Sequence, residues 1–83
     1  MTFDFAGYLT DGLRSLDWVT VDLWIAVTGL AGFLSLGDVR NIIAGDREPS
    51  EKEYDVLALA INEEFMDRGH DHPMNYWEEL PQV

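Results

Sequence analysis

The chain contains no cysteine, and its 83 residues include only two histidines and a single lysine. The absence of cysteine excludes disulfides and thiolate metal sites. No segment alternates apolar and polar residues in the way that half-buried strands do, so the sequence does not predict a sheet. A chain of this length forms one small domain, and its stability has to come from apolar packing.

Positive charge is also scarce, because 5 basic residues stand against 16 acidic ones and the net charge is −11. DNA affinity comes largely from lysine and arginine side chains that neutralise phosphates, so an acidic chain is repelled by a duplex at long range. The same excess of carboxylates favours solubility or a basic protein partner. No basic segment precedes an apolar run at the start of the chain, so we expect a cytoplasmic protein.

Residues 23–36 contain no charged residue. A membrane-spanning helix needs about 20 apolar residues, and uncharged runs of about 10–14 are more often buried helices. Gly29 and Gly32 lie inside the segment and suit a turn. We therefore interpret the segment as a buried helix followed by a turn, and we expect no membrane association.

Four helices are predicted from apolar residues at helical spacing and from residues that favour helix ends. They are residues 5–16, a second helix from Thr20 toward Leu30, a third from Ser35 to Ala44 that Gly45 ends, and a fourth from Ser50 to about Gly69. The predicted buried residues are Phe5, Leu9, Leu13 and Leu16 in the first helix, Leu36, Val39, Ile42 and Ile43 in the third, and Tyr54, Leu57, Ala58, Ile61 and Phe65 in the fourth.

Capping residues mark the predicted starts of the last three helices. Ser50 and Glu53 have the spacing of a capping box, and Ser35 and Asp38 form a shorter variant of it. Thr20 is the predicted N-cap of the second helix. The capping box of Ser50 and Glu53 makes the fourth helix the most strongly predicted element.

Residues 39–61 also have the spacing of a known family. The shared positions are Val39, Gly45, Arg47, Pro49, Ser50, Leu57, Ala58, Ala60 and Ile61, with Leu34 and Ser35 upstream. In this pattern the segment resembles the Cro/C1-type (Xre-like) helix-turn-helix family. The resemblance implies an all-α, single-domain helix-turn-helix bundle of four to five helices, with residues 1–69 as the helix-turn-helix domain and residues 70–83 as a C-terminal tail.

The resemblance implies a small DNA-binding protein that controls transcription, of a phage- or plasmid-like kind, and acts as a homodimer. Its DNA-contacting positions correspond here to Ser35, Arg40, Asn41, Arg47 and Lys52. In the family's arrangement Asn41 would contact a base, while Arg40 and Arg47 would contact phosphates. Three of the five basic residues therefore lie on or near the implied DNA-binding face.

Two departures from the family pattern affect this face. Four additional residues precede Val39, so that either the second helix is about one turn longer or the turn after Gly29 is remodelled. The first exposed positions of the recognition helix are Leu36, Gly37 and Asp38. The first two have no side-chain group that hydrogen-bonds a base edge, and the aspartate repels phosphate.

The acidic residues support an alternative function. Within residues 35–61 the carboxylates outnumber the cations, and they are Asp38, Asp46, Glu48, Glu51, Glu53 and Asp55. The alternative is an acidic protein-interaction module on the same scaffold, which blocks a basic surface of a host protein as a DNA mimic or inhibitor. A solvated acidic face with no partner is the ordinary meaning of such charge.

No nucleophile–base pair or phosphate-binding loop occurs in the sequence, so we expect a non-enzyme without a cofactor. His70 and His72 flank Asp71, but two histidines without a third ligand are a weak metal signal, and we interpret them as a solvated loop with no metal. The tail residues 74–77 include Tyr76 and Trp77, which either form an interaction patch or pack on the core, where a short helix would fold back.

Overall fold

The structure, a computed structural model, describes residues 3–81. Within that range the chain forms four α-helices and one 3₁₀ turn, and no strand. The elements are α1 (Phe5–Leu16), α2 (Thr20–Leu30), α3 (Leu36–Ala44), α4 (Glu51–Asp67) and the 3₁₀ turn Trp77–Glu79. The predicted all-α bundle is confirmed. The first two residues of the predicted domain and the last two of the predicted tail lie outside the described residues.

Local signals define both ends of α1. The carboxylate of Asp4 accepts a hydrogen bond from the backbone N–H of Gly7 at 2.9 Å and thereby caps the helix. At the other end Asp17 adopts a left-handed conformation with φ 59°, and its N–H donates to the carbonyl of Arg14 at 3.1 Å. Aspartate is one of the few non-glycine residues that adopt this conformation readily, so α1 ends without a glycine.

The prediction of Thr20 as the N-cap of α2 is wrong. Thr20 is the first residue of the helix, and Val19 is the N-cap. Valine has no side-chain acceptor, but the carboxylate of Asp22 accepts a hydrogen bond from the backbone N–H of Val19 at 2.9 Å. Asp22, the third residue of the helix, therefore provides the cap, and its hydrogen bond to Val19 sets the position where α2 begins.

Residues 31–35 connect α2 to α3. α2 ends at Leu30, which is the end that the sequence predicted. Gly32 takes a positive φ of 74° in this turn. The side chain of Leu34 is buried in the core, whereas that of Phe33 is exposed. Leu34 thus anchors the turn, and Phe33 stands beside the start of α4.

The core lies between all four helices, since α3 packs against α1 and α2, and α4 packs against the same two helices. The largest fully buried side chains are Leu9, Leu16, Leu23, Val27, Val39, Ile42, Tyr54, Leu57, Ile61 and Asn62. Four residues predicted to be buried are only half-buried, namely Phe5, Leu36, Ile43 and Phe65. The packing leaves one side of α3 exposed, and Arg40 and Asn41 lie on that side.

The segment after α4 returns to the core. Met74 and Leu80 are buried, and the ring of Trp77 stacks on that of Phe5 with centroids 5.3 Å apart. The backbone N–H of Trp77 also donates to the carboxylate of Asp55 at 2.8 Å. These contacts hold the described part of the tail against α1 and α4. No helix among residues 3–81 is long and apolar enough to cross a membrane.

Candidate nucleic-acid interface

Capping boxes begin both α3 and α4. The hydroxyl of Ser35 accepts from the N–H of Asp38 at 3.0 Å, and the carboxylate of Asp38 accepts from the N–H of Ser35 at 3.0 Å. Ser50 and Glu53 repeat this exchange at 3.2 Å and 2.9 Å. The hydroxyl of Ser35, a predicted DNA contact, therefore caps α3.

Arg47 joins the two capping boxes. Its guanidinium donates to both carboxylate oxygens of Glu53, from Nη1 at 2.9 Å and from Nη2 at 3.1 Å. Nη2 also lies 3.6 Å from Oδ1 of Asp38. Bidentate pairs between arginine and a carboxylate are among the stronger hydrogen-bonded contacts in proteins. The guanidinium thus lies between the carboxylates that cap α3 and α4, and we call Arg47, Asp38 and Glu53 the arginine clamp.

Both carboxylates of the arginine clamp have lowered pKa values. The hydrogen bond from Arg47, followed by that from the Ser50 N–H, lowers the pKa of Glu53 below its ordinary value. The hydrogen bonds from Ser35, with a smaller contribution from Arg47, lower the pKa of Asp38. The contact with Glu53 in turn raises the pKa of Arg47. A DNA phosphate at this position would have to compete for Arg47 with two anions of the chain itself.

The other three predicted DNA contacts lie apart from the arginine clamp. Arg40 and Asn41 are neighbours on the exposed side of α3, and within residues 3–81 Arg40 has no ion-pair partner. Lys52 lies at the start of α4, with its ammonium 5.1 Å from the centre of the Phe33 ring. This is the distance of a cation–π contact, which orients Lys52 toward the turn between α2 and α3.

The charge around these residues is mainly negative. Asp46, Glu48 and Glu51 are exposed and have no ion-pair partner in the described part of the chain. They are close in sequence to Arg40 and Lys52, the two cations of residues 35–61 that have no ion-pair partner. The sequence grouped the predicted DNA contacts in one segment, but it did not show that Arg47 pairs with Asp38 and Glu53.

A second surface, a groove between α2 and α4, was missed by the sequence interpretation. Its volume is about 460 Å³, and its lining combines apolar side chains of α2 with carboxylates of both helices. The available signal was α2 itself, whose residues 23–30 are all uncharged and mostly apolar. A helix that is apolar all round predicts burial on every side, whereas Ile25 is exposed here.

Metal binding finds no support among the described residues. His70 and His72 are exposed, and residues 3–81 contain no group of three histidine or carboxylate side chains placed to hold a metal ion. Comparison of the chain with protein-family models, curated proteins and solved structures gave no match. The likeness to Cro/C1-type proteins therefore rests on the spacing of residues alone.

Proposed function

We propose that the chain is an acidic protein-interaction module, built on a helix-turn-helix scaffold, that occupies a basic surface of another protein. The observation that carries the proposal is the arginine clamp. Arg47 is one of the two predicted phosphate contacts, and it is paired with Glu53 and Asp38 of its own chain. What remains exposed in the segment is a surplus of carboxylates.

Electrostatics favours a protein partner over a duplex. A chain of net charge −11 is attracted to a lysine- and arginine-rich surface, and the attraction accelerates association at low salt. A duplex also repels exposed carboxylates, and two unpaired cations in the segment release few counterions from it. The module would therefore act by covering the partner's basic surface, as a DNA mimic or an inhibitor does.

Fluorescence anisotropy tests the proposal with two labelled probes, a mixed-sequence DNA duplex and a helical peptide rich in lysine and arginine. At about 50 mM salt, where charge attraction is strong, we expect the peptide to bind and the duplex not to bind. A peptide of the same length with glutamate in place of the basic residues is the control. Binding of the duplex without binding of the basic peptide would contradict the proposal.

A DNA-binding regulator is the second candidate, and Arg40 and Asn41 favour it. These two residues are exposed next to each other on α3, which is the helix that the family pattern places in the major groove. A homodimer would present two such helices to two half-sites. A gel-shift titration with random duplex, combined with sedimentation analysis of the free protein, tests the DNA binding and the dimer separately.

A further inference from the structure

We infer that the groove between α2 and α4 is a docking site for a basic, amphipathic α-helix of a partner protein. The inference rests on the proposed function, and it adds the face that binds and the chemistry of the bound segment. We call this surface the α2–α4 groove, and we use the word floor for its three large apolar lining residues, Trp18, Ile25 and Leu30.

The floor leaves large apolar side chains uncovered. Ile25 is 59% exposed and Leu30 is 40% exposed, although both belong to a helix without a charged residue after Asp22. The position of Gly29 adds depth, because nothing lies within 4 Å of the site where its Cβ would be. Exposed apolar residues at a concave surface between two helices are the arrangement that receives a third helix.

The charged residues that line the groove are all acidic. They are Asp22 of α2 and Glu63, Glu64 and Asp67 of α4, and we call these four residues the rim. The guanidinium of Arg68 pairs with Glu64 at 2.8 Å and so offsets one of the four charges. The other three carboxylates have no ion-pair partner in the described residues. Apolar residues and carboxylates that line the same groove are complementary to a helix with leucine-like residues on one side and lysine or arginine beside them.

The rim charge selects the basic helix over other occupants. A second copy of the chain, docked groove to groove, would bring the same carboxylates together, and like charges at an interface are unfavourable. A nucleic acid would place phosphates against the rim and leave the floor without apolar contacts. Of these three occupants, only a basic amphipathic segment is complementary to both the apolar residues and the carboxylates of the groove.

A designed helical peptide probes the groove directly. It is about 18 residues long, so that it forms several turns, and carries leucine at helical spacing with lysine on its other side. A scrambled peptide of the same composition is the control for charge alone. Fluorescence anisotropy should show the amphipathic peptide binding at least about tenfold more tightly than the scrambled one, a difference typical of apolar anchors in a groove. Amide shifts in the protein's ¹⁵N NMR spectrum should concentrate on α2 and α4.

A matched pair of serine variants tests the floor. Ile25→Ser should weaken binding of the amphipathic peptide by at least about fivefold, because it removes an apolar anchor. Met66→Ser makes a comparable change at a residue that is also exposed, at 49%, and lies on α4 outside the α2–α4 groove. It should leave the affinity unchanged. Unaltered circular dichroism of both variants shows that neither effect comes from unfolding.

Two double variants with the same net charge test the rim. Glu63→Gln with Asp67→Asn removes two charges from the rim, whereas Asp46→Asn with Glu48→Gln removes two from the loop before α4. We expect only the rim variant to weaken peptide binding, by about three- to tenfold at low salt. If both double variants lose peptide affinity equally, or if the amphipathic and scrambled peptides bind equally, the groove is not the docking site. The proposal that the protein binds a basic partner would still stand. Failure of every basic peptide to bind overturns the proposed function itself.

Discussion

The side-chain amide of Asn62 exchanges two hydrogen bonds with the backbone of Met74. Its Nδ2 donates to the Met74 carbonyl at 3.0 Å, and its Oδ1 accepts from the Met74 N–H at 2.9 Å. Asn62 is fully buried, and Met74 is nearly so. The pair therefore fastens the segment after α4 onto the core and satisfies two backbone groups that water does not reach.

Loss of the Asn62 amide should destabilise the protein strongly. Asn62→Ala leaves the N–H and the carbonyl of Met74 buried without partners, at a cost of about 2–3 kcal/mol in the free energy of unfolding. Urea denaturation followed by circular dichroism measures the change. Asn41→Ala is the control, because Asn41 is exposed on α3 and its loss should have little effect. An unchanged urea midpoint for Asn62→Ala would contradict a stabilising role for the two hydrogen bonds between Asn62 and Met74.

The cap of α4 gives a second stability prediction. Ser50→Ala removes the acceptor for the Glu53 N–H and should lower the free energy of unfolding by about 1 kcal/mol. Ser15→Ala makes the same chemical change inside α1, where the hydroxyl donates to the Asp11 carbonyl. Alanine is the better helix former there, so this control should be neutral or slightly stabilising. Equal effects of the two variants in urea denaturation would contradict a special role for the cap.

Helix ends were predictable here because their signals are local. Ser35 and Ser50 are the N-caps of α3 and α4, as their spacing to Asp38 and Glu53 predicted. Val19 was missed because its cap comes from a side chain inside the helix. A capping box can be recognised in the sequence because both of its residues have characteristic side chains. An N-cap residue whose side chain has no hydrogen-bond acceptor cannot be recognised in this way.

The contacts that define the candidate sites were not predictable in the same way. Asn62 lies four residues after Ala58, so its place on the apolar face of α4 follows from helical spacing, but its partner Met74 does not. Likewise, the pairing of Arg47 with Glu53 depends on how the loop turns between α3 and α4. Such contacts depend on tertiary packing rather than on the local pattern.

The arginine clamp predicts an acid-dependent loss of stability. The pKa of Glu53 is lower in the folded protein than its ordinary value of 4.5, so its contribution is fully present above that pH. It is lost as the pH falls through the lowered folded value. Glu53→Gln should therefore cost on the order of 1 kcal/mol at pH 7 and progressively less at acid pH. Urea denaturation at several pH values measures both. A pH-independent difference between the variant and the wild type would contradict the ion pair.

Alanine variants of Arg47 and Arg40 should differ in their effects on stability and on DNA binding. Arg47→Ala removes the link between the capping boxes of α3 and α4 and should destabilise the fold by about 1 kcal/mol. Arg40→Ala should not, because Arg40 is exposed and has no ion-pair partner in the described residues. If the protein binds a duplex, Arg40→Ala should reduce the slope of log affinity against log salt by about one, as expected for one phosphate contact. Equal unfolding midpoints for the two variants would contradict the clamp.

The two candidate functions predict different changes in duplex affinity when acidic residues are neutralised. Asp46→Asn with Glu48→Gln removes two exposed carboxylates from the loop between α3 and α4 and leaves the residues of the arginine clamp unchanged. For a DNA-binding protein the change lessens repulsion from phosphates, so duplex affinity should rise, by on the order of 1 kcal/mol at most because exposed charges are screened. For a module that binds a basic helix in the α2–α4 groove, peptide affinity should stay the same and the duplex should remain unbound. Anisotropy titrations of wild type and variant against both probes measure this directly. Tighter duplex binding by the variant supports the regulator and counts against the protein-interaction module.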